Sequence, residues 1–380
     1  MSLNIRQLKQ SQEDFLKIRC KKCLMPNFIA KWKDSEGNTC EYCNPDEERS
    51  IEFPEDMSND NGDMSVEDLL KLIRSHKKGP YDCMVSITGG RDSSYVLYYA
   101  KEVLKLNPLA FNFHTGFVSD IAQENMINVT GTLGVDFIQF RIGGQFLKKL
   151  SRGFLINNGE VCSVCHQGHF YTVQKIAQWT GLKVLLRGLC KKTEQNFLVP
   201  DYFNWYSMDD DDFNARVNAF AESEKITERE LEIHDDFMHM RDWTDKEVMK
   251  IDLPDMIDYR QDEITRVLTK LNWKYNNEFI HLDCMFNPIL ICAQRYAEGY
   301  SEKQFIISNL VIDEIGAEAG KKLLHAEENI GFDDLPGLNN FLQTIGVDLQ
   351  TFEKAIQNNW QVRESSPVKE AQKTSRVLLN

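Results

Sequence analysis

The chain has 380 residues, with 44 basic and 58 acidic side chains and a formal net charge of −14. That length suggests two or three folded units with room for a real core, and that charge argues against a general polyanion-binding surface. Hydrophobic residues make up 42% and no apolar run is long enough to span a bilayer, so the composition is that of a globular protein. The opening MSLNIRQLKQSQEDF carries no export signal, and the reading is a cytoplasmic protein with neither membrane nor nucleic acid as its expected partner.

In a reducing compartment, ten cysteines point to metal or redox chemistry rather than disulfides. Cys20-Lys-Lys-Cys23 and Cys40-Glu-Tyr-Cys43 are two CxxC knuckles, with Pro26 and Gly37 between them for turns. Four thiolates so spaced close a tetrahedral shell around Zn2+, so residues 1–50 read as a structural zinc ribbon. Residues 51–80 read as an acidic linker followed by a helix, which Ser65 caps and Leu69, Leu70 and Ile73 make amphipathic.

From 81 to 195, short β-rich runs (83–87, 109–114, 136–141, 183–187) alternate with helical stretches (93–106, 120–133, 169–180). This is the pattern of a doubly wound α/β domain around a parallel sheet. Residues 196–295 break the rhythm with aromatics at 202–206 and an acidic run, Asp209 to Asp212. They read as an insertion or lid with the acceptor region that completes the domain, the acidic run being a solvated face before it is a magnesium site. Residues 296–380 read as a C-terminal helical region with a frayed polar end.

The strongest chemical signal is Ser86-Ile-Thr88-Gly89-Gly90-Arg91-Asp92-Ser93-Ser94, directly after an apolar strand and directly before a helix. Two glycines let backbone N–H groups approach a polyanion, the hydroxyls add donors, and the helix presents its positive end. The spacing is neither GxxxxGK[ST] nor GxGxxG, so the loop reads as a pyrophosphate cradle of another kind. A second group is Cys162-Ser-Val-Cys165-His166, with His169 after it, and His281-Leu-Asp-Cys284 supplies a distant third thiol. Three cysteines leave one metal position open, which suits a [4Fe-4S] cluster with a labile ligand or a catalytic thiol pair. His114, at a strand end, is the other histidine expected at the site, and Glu194, Gln195 and Asn196 follow a strand end where acceptors bind. Cys83 and Cys292 read as small buried hydrophobes.

With Thr88 in place of the first serine, the loop resembles the SGGxDS motif of the PP-loop ATP pyrophosphatases, which implies an adenine nucleotide alpha hydrolase-like fold. More narrowly, the order of features resembles the N-acetyl sugar amidotransferase family of bacterial surface-glycan and lipopolysaccharide biosynthesis. The resemblance runs through the ribbon, His114-Thr-Gly116-Phe117 with Asn128, the Cys162–His166 group, Leu271-Asn-Trp273-Lys274 as an LGW-type element, and Gly299-Tyr-Ser301 onward. It implies cleavage of ATP to AMP and pyrophosphate, with Ser86, Thr88 to Ser94, His114 and Gly188 around the nucleotide. Mg2+ would bridge the phosphates, with Asp92 as its carboxylate or the organiser of the loop. Ammonia from a separate glutaminase subunit would then replace the oxygen of an N-acetyl group on a small-molecule sugar acceptor, and a homodimer is one assembly open to the chain. Asp92, Cys162, Cys165, His166 and Cys284 are the catalytic candidates.

Two departures from that family, Gly188-Leu189-Cys190 where it has Gly-Glu and His281-Leu-Asp-Cys284 where a basic aromatic segment is usual, bring the chain nearer to PP-loop enzymes that insert sulfur. Sulfur transfer to RNA or a small molecule, with Lys148, Lys149 and Arg152 as a local basic patch, is therefore the alternative reading. A non-catalytic nucleotide sensor or ribbon module is the third.

Overall fold

Ser65 accepts a hydrogen bond from the Asp68 N–H and opens α1 (Val66–His76), whose Leu69 and Ile73 turn inward. The computed structural model describes residues 19–26, 33–34, 38–43, 64–143, 145–189, 208–274, 283–298, 300–301, 303–328, 335 and 337–360. Within them, five parallel strands form one sheet: β1 (Cys83–Ser86), β2 (Pro108–Phe113), β3 (Phe137–Phe140), β4 (Val184–Arg187) and β5 (Met249–Asp252). Their order is β3-β2-β1-β4-β5, so the direction of winding reverses between β1 and β4. In open α/β sheets that reversal leaves a crevice at the carboxyl ends of the strands.

Between the strands run α2 (Arg91–Tyr98, continued as a wider turn over Tyr99–Val103), α3 (Asp120–Leu133), α4 (Phe146–Asn158) and α5 (Cys162–Thr180). The period of two along β1 explains the layering. Cys83, Val85 and Ile87 pack with Val96, Met126 and Leu186 on one face, whereas Met84 packs with Leu109, Phe111, Val173 and Ile176 on the other. Both faces are covered by helices, as doubly wound sheets require.

α5 begins seven residues before the apolar periodicity does, because its first turn is braced by the residue before its N-cap as well as by Val161 and Val164 in the core. The buried Glu160 carboxylate accepts from the Ser163 N–H at 2.9 Å and the Ser163 hydroxyl at 2.7 Å. The CxxCH group thus sits on the opening turn of a 19-residue helix.

The stretch expected to be an insertion contributes α6 (Asp210–Phe220), α7 (Glu228–Ile233), α8 (Asp235–Met238), α9 (Arg241–Glu247), the fifth strand and α10 (Gln261–Lys270). β5 escapes sequence reading because Met-Lys-Ile-Asp is short and half charged. Its end is held by a two-pronged ion pair, Arg187 Nε to Asp252 Oδ1 at 2.8 Å and Nη2 to Oδ2 at 3.0 Å. The acidic run is solvated at Asp209, Asp211 and Asp212 and also starts a helix: Asp209 caps α6 through the Asp212 N–H, and buried Asp210 accepts from Gln167 at 2.8 Å. Two members of the basic patch are spent internally, Lys149 on Glu230 at 2.7 Å and Arg152 on Glu224.

The C-terminal region is helical: α11 (Asn287–Glu298), α12 (Lys303–Leu310), α13 (Gly316–Glu328), α14 (Leu338–Ile345) and α15 (Leu349–Asn359). A second core of Phe154, Phe213, Phe286, Phe341 and Phe352 joins α11, α14 and α15 to α4 and α6. No helix among the described residues is long and apolar enough to cross a membrane.

Candidate nucleotide and thiol site

The loop after β1 reaches the crevice at the strand reversal. Gly90 is the N-cap of α2 and has no side chain to cap it, so the first N–H groups of the helix face the loop's mouth. The hydroxyls cross-brace the turn: Ser93 Oγ accepts from the Thr88 N–H at 3.1 Å, Thr88 Oγ1 accepts from the Gly90 N–H at 3.3 Å, and Ser94 donates to the Gly90 carbonyl at 2.6 Å. Asp92 is held from two sides, by Arg91 Nε at 2.7 Å and by the Tyr259 hydroxyl. Gly188, just past β4, lies against the start of α2; a Cβ there would stand 2.9 Å from the Ser93 nitrogen. The sequence-selected residues from Ser86 to Ser94 and Gly188 therefore converge on one place.

His114 follows β2, where its Nδ1 accepts from the Gly116 N–H at 3.0 Å. Burial, then the nearby Arg141, lowers its pKa, so the neutral ring serves as an acceptor that shapes the turn.

Of the second cysteine group, the Cys284 segment reaches the same loop. Cys284 is bridged to Val118, the Ser119 N–H donates to the Asp283 carbonyl at 3.3 Å, and the Met285 N–H donates to the Phe117 carbonyl at 2.8 Å. This pins Asp283 and Cys284 beside the β2 end. The Asp283 carboxylate lies by the Thr88 turn and would stand 3.3 Å from a Cβ at Gly90, while Cys284 is near enough to Cys165 for their charges to interact. Burial raises the Asp283 pKa, with Thr88 and Lys303 opposing it.

Cys165 is accessible but ringed by protein, and desolvation followed by repulsion from Cys284 pushes its thiol up to about 12; Cys284 is pushed up to about 11 by burial. His166 is held neutral, at about 3, by burial and then by the neighbouring His169. Cys190, Glu194, Gln195, Asn196 and His281 lie outside the described residues.

Sequence reading placed His169 after the CxxCH group without giving it a role. One helical turn beyond Cys165, its Nδ1 lies 3.4 Å from the Ser86 hydroxyl and its ring stacks on Phe111. Burial, then the Arg187 charge, depresses its pKa to about 4. An unfolded histidine binds its proton below about 6.5, so between about pH 4 and 6.5 the unfolded chain holds a proton that the folded chain does not, and stability falls as pH falls through that window. In urea unfolding across that range, His169→Gln is expected to flatten the slope by up to about 1.4 kcal/mol per pH unit, with no change above pH 7.

The ribbon forms a separate centre. Cys20, Cys23, Cys40 and Cys43 place all four sulfurs within 4.8 Å of one another, the only such set of three or more His, Cys, Asp or Glu among the described residues. Sulfur separations are 3.7 Å (Cys20 to Cys43), 3.5 Å (Cys23 to Cys40) and 3.9 Å (Cys40 to Cys43). A tetrahedron built on Zn–S bonds of about 2.3 Å has edges of about 3.8 Å, so the donor set fits zinc. Sharing a hydrogen bond with Cys40, together with burial, drives the Cys23 thiol far up, whereas the same bond brings Cys40 down to about 5. The ribbon seats on α12: Tyr42 donates to Asn309 at 2.6 Å and stacks near Phe305, and Gln304 donates to the Leu24 carbonyl at 3.2 Å.

No family model matches the chain. Over 123 residues it is 28% identical to an uncharacterized protein, MJ1599, of Methanocaldococcus jannaschii; the match covers 32% of this chain and 43% of that protein, less than half the relative's length. Among solved structures, it is similar to the U34-tRNA thiolase NcsA from Methanococcus maripaludis with its [4Fe-4S] cluster. That likeness is 16% in sequence, covers 82% of this chain and 89% of the other, and has a TM-score of 0.32, at which it carries no argument about this chain.

Proposed function

We propose that the chain is a PP-loop ATP pyrophosphatase that adenylates a carbonyl or amide oxygen of its substrate and replaces that oxygen with sulfur. The observation that carries this reading is the Asp283 carboxylate against the phosphate loop, 3.3 Å from where a Cβ on Gly90 would stand, with Cys284 next in the chain and near enough to Cys165 for their charges to interact. It sets thiols next to the point where an activated carbon would lie. ATP would place its phosphates over the Gly89–Gly90 turn, and Asp92 would hold Mg2+, which neutralises phosphate charge, or organise the loop. The helix N-terminus and the loop N–H groups hold the departing pyrophosphate. The carbon–oxygen bond then breaks with AMP as leaving group and a carbon–sulfur bond forms from sulfide, with no change of oxidation state.

Cys162, Cys165 and Cys284 would hold a [4Fe-4S] cluster. Cys162 and Cys165 lie one turn apart on the opening of α5, and Cys284 is near enough to Cys165 for their charges to interact, a soft thiol set of the kind that holds iron and sulfide. When bound, the cluster supplies an open iron position for a sulfur ligand. A reducing cytoplasm, a small-molecule acceptor and a homodimer complete the reading, with Zn2+ in the ribbon.

The test is AMP and pyrophosphate production by anaerobically purified protein with MgATP and pools of carbonyl-bearing acceptors, with sulfide in one arm and ammonia in the other. Equal AMP and pyrophosphate, dependent on sulfide, is the expected result; ADP and phosphate would count against it. Cys284→Ala is expected to keep MgATP binding and lose product by about 100-fold or more, as loss of a ligand does.

The second reading is favoured by the sequence resemblance alone: an amidotransferase that replaces an N-acetyl oxygen with ammonia from a separate glutaminase subunit. Product in the ammonia arm, raised by that subunit with glutamine and insensitive to Cys284→Ala, would establish it instead.

A further inference from the structure

The Gly89 carbonyl points away from the mouth of the phosphate loop and receives two hydrogen bonds from behind, one from Trp273 Nε1 at 2.9 Å and one from Asn125 Nδ2 at 3.1 Å. Both lone pairs of that oxygen are then engaged. We propose that Trp273 and Asn125 are positioning residues of the phosphate loop, which fix the Gly89–Gly90 peptide so that its N–H faces the phosphates of the nucleotide. The proposal rests on the reading that ATP binds at this loop.

The reasoning begins with the peptide plane. A trans peptide sets its N–H and C=O in opposite directions, and the described residues contain no cis bond. Anchoring the Gly89 oxygen behind the loop therefore sends the Gly90 N–H forward, where it meets Thr88 Oγ1 at 3.3 Å. A peptide flanked by two glycines rotates with little steric resistance, and Gly89 already sits at φ +80°. Rotation would turn the carbonyl dipole toward an incoming polyanion and remove a donor. The two back-side hydrogen bonds oppose it.

The sequence invests heavily in delivering them. Asn125 is buried, at 3% exposure, and its amide also pairs with both backbone groups of Lys274, accepting from the N–H at 2.7 Å and donating to the carbonyl at 3.0 Å. One turn later, Asn128 donates to the Asn272 carbonyl at 3.1 Å. Asn272 takes φ +58°, the left-handed conformation that asparagine tolerates better than most residues, and the bend it makes brings the indole under the loop. Trp273 is 184 positions from the glycine it holds.

The experiment compares MgATP and AMP affinities by calorimetric titration of the full chain, with thermal unfolding as a control. AMP lacks the pyrophosphate that the Gly90 N–H would meet, so a positioning role separates the two ligands and a merely structural one does not. Trp273→Phe keeps an aromatic ring and removes the donor; the expected result is MgATP binding weakened about tenfold with AMP unchanged within about twofold, the scale of one hydrogen bond to a charged ligand. If that variant does not fold, Asn125→Asp, which keeps size and removes the donating amide, is expected to show the same selective loss. Asn128→Ala loosens the same turn while leaving both donors on Gly89, and is expected to leave the ratio of the two affinities unchanged. Equal losses for ATP and AMP in Trp273→Phe, no loss at all, or the ATP-selective loss appearing in Asn128→Ala would each overturn the proposal. Wild-type protein that binds neither nucleotide overturns the ATP reading itself.

Discussion

Gly89→Ala is expected to eliminate MgATP binding while leaving most of the protein folded. The position takes φ +80°, and a Cβ there would stand 2.2 Å from the Ala122 carbonyl oxygen, a backbone atom at the start of α3 that cannot swing aside. Either the loop lifts off α3 or the peptide rotates, and both remove the Gly90 N–H from the mouth of the cradle. Since the loop spans only the crevice end of β1, the sheet below it can persist. Thermal unfolding with and without nucleotide checks this: at a concentration of 100 times Kd, wild type should gain about 2.7 kcal/mol from the ligand and the variant none. A ligand-induced gain equal to that of wild type in Gly89→Ala would place the nucleotide elsewhere.

Removal of the ribbon metal should have the other large effect. Structural zinc contributes an apparent 10–16 kcal/mol in zinc-finger peptides, roughly the whole stability of a small unit. Here the four cysteines, Met25 and Tyr42 pack on Phe305, and Leu24 packs with Ile307 and Val311, so loss of the ribbon uncovers one side of α12. Cys40→Ser or exhaustive chelation is expected to release one zinc per chain and to open residues 19–43 and α12 to limited proteolysis. β1 to β5 should stay protected, since their cores share no residue with the ribbon. Unchanged proteolysis after complete zinc loss would show that the ribbon needs no metal.

The phosphate loop was legible in the sequence because everything that makes it is contiguous: an apolar strand, two glycines, hydroxyls and a helix within a dozen positions. The ribbon was legible because CxxC spacing is itself a geometric statement. Trp273 was visible only as part of a resemblance, since its role is a hydrogen bond to a carbonyl 184 positions away, and no local pattern encodes that. Asn272 explains how the segment departs from the LGW-type pattern, because its left-handed φ is one that glycine or asparagine supplies. Asp283 was passed over beside the more conspicuous Cys284, and its reach to Thr88 comes from the pairing of Cys284 with Val118. β5 was hidden by its charge: Lys250 is buried and Asp252 is paired with Arg187, so the residues that argue against a strand are satisfied by tertiary partners. His169 stood one turn past the motif that drew the eye, on a helix whose start at Cys162 is braced by the Glu160 carboxylate on the Ser163 N–H.

The central claim, that Cys162, Cys165 and Cys284 form a metal–sulfur centre beside the nucleotide loop, is tested most directly by iron, acid-labile sulfide and zinc analysis of protein purified and reconstituted without oxygen. The account predicts one zinc together with about four iron and four sulfide per chain, the iron and sulfide lost in Cys284→Ala and the zinc retained. Zinc alone, with neither iron nor sulfide after reconstitution, would contradict it.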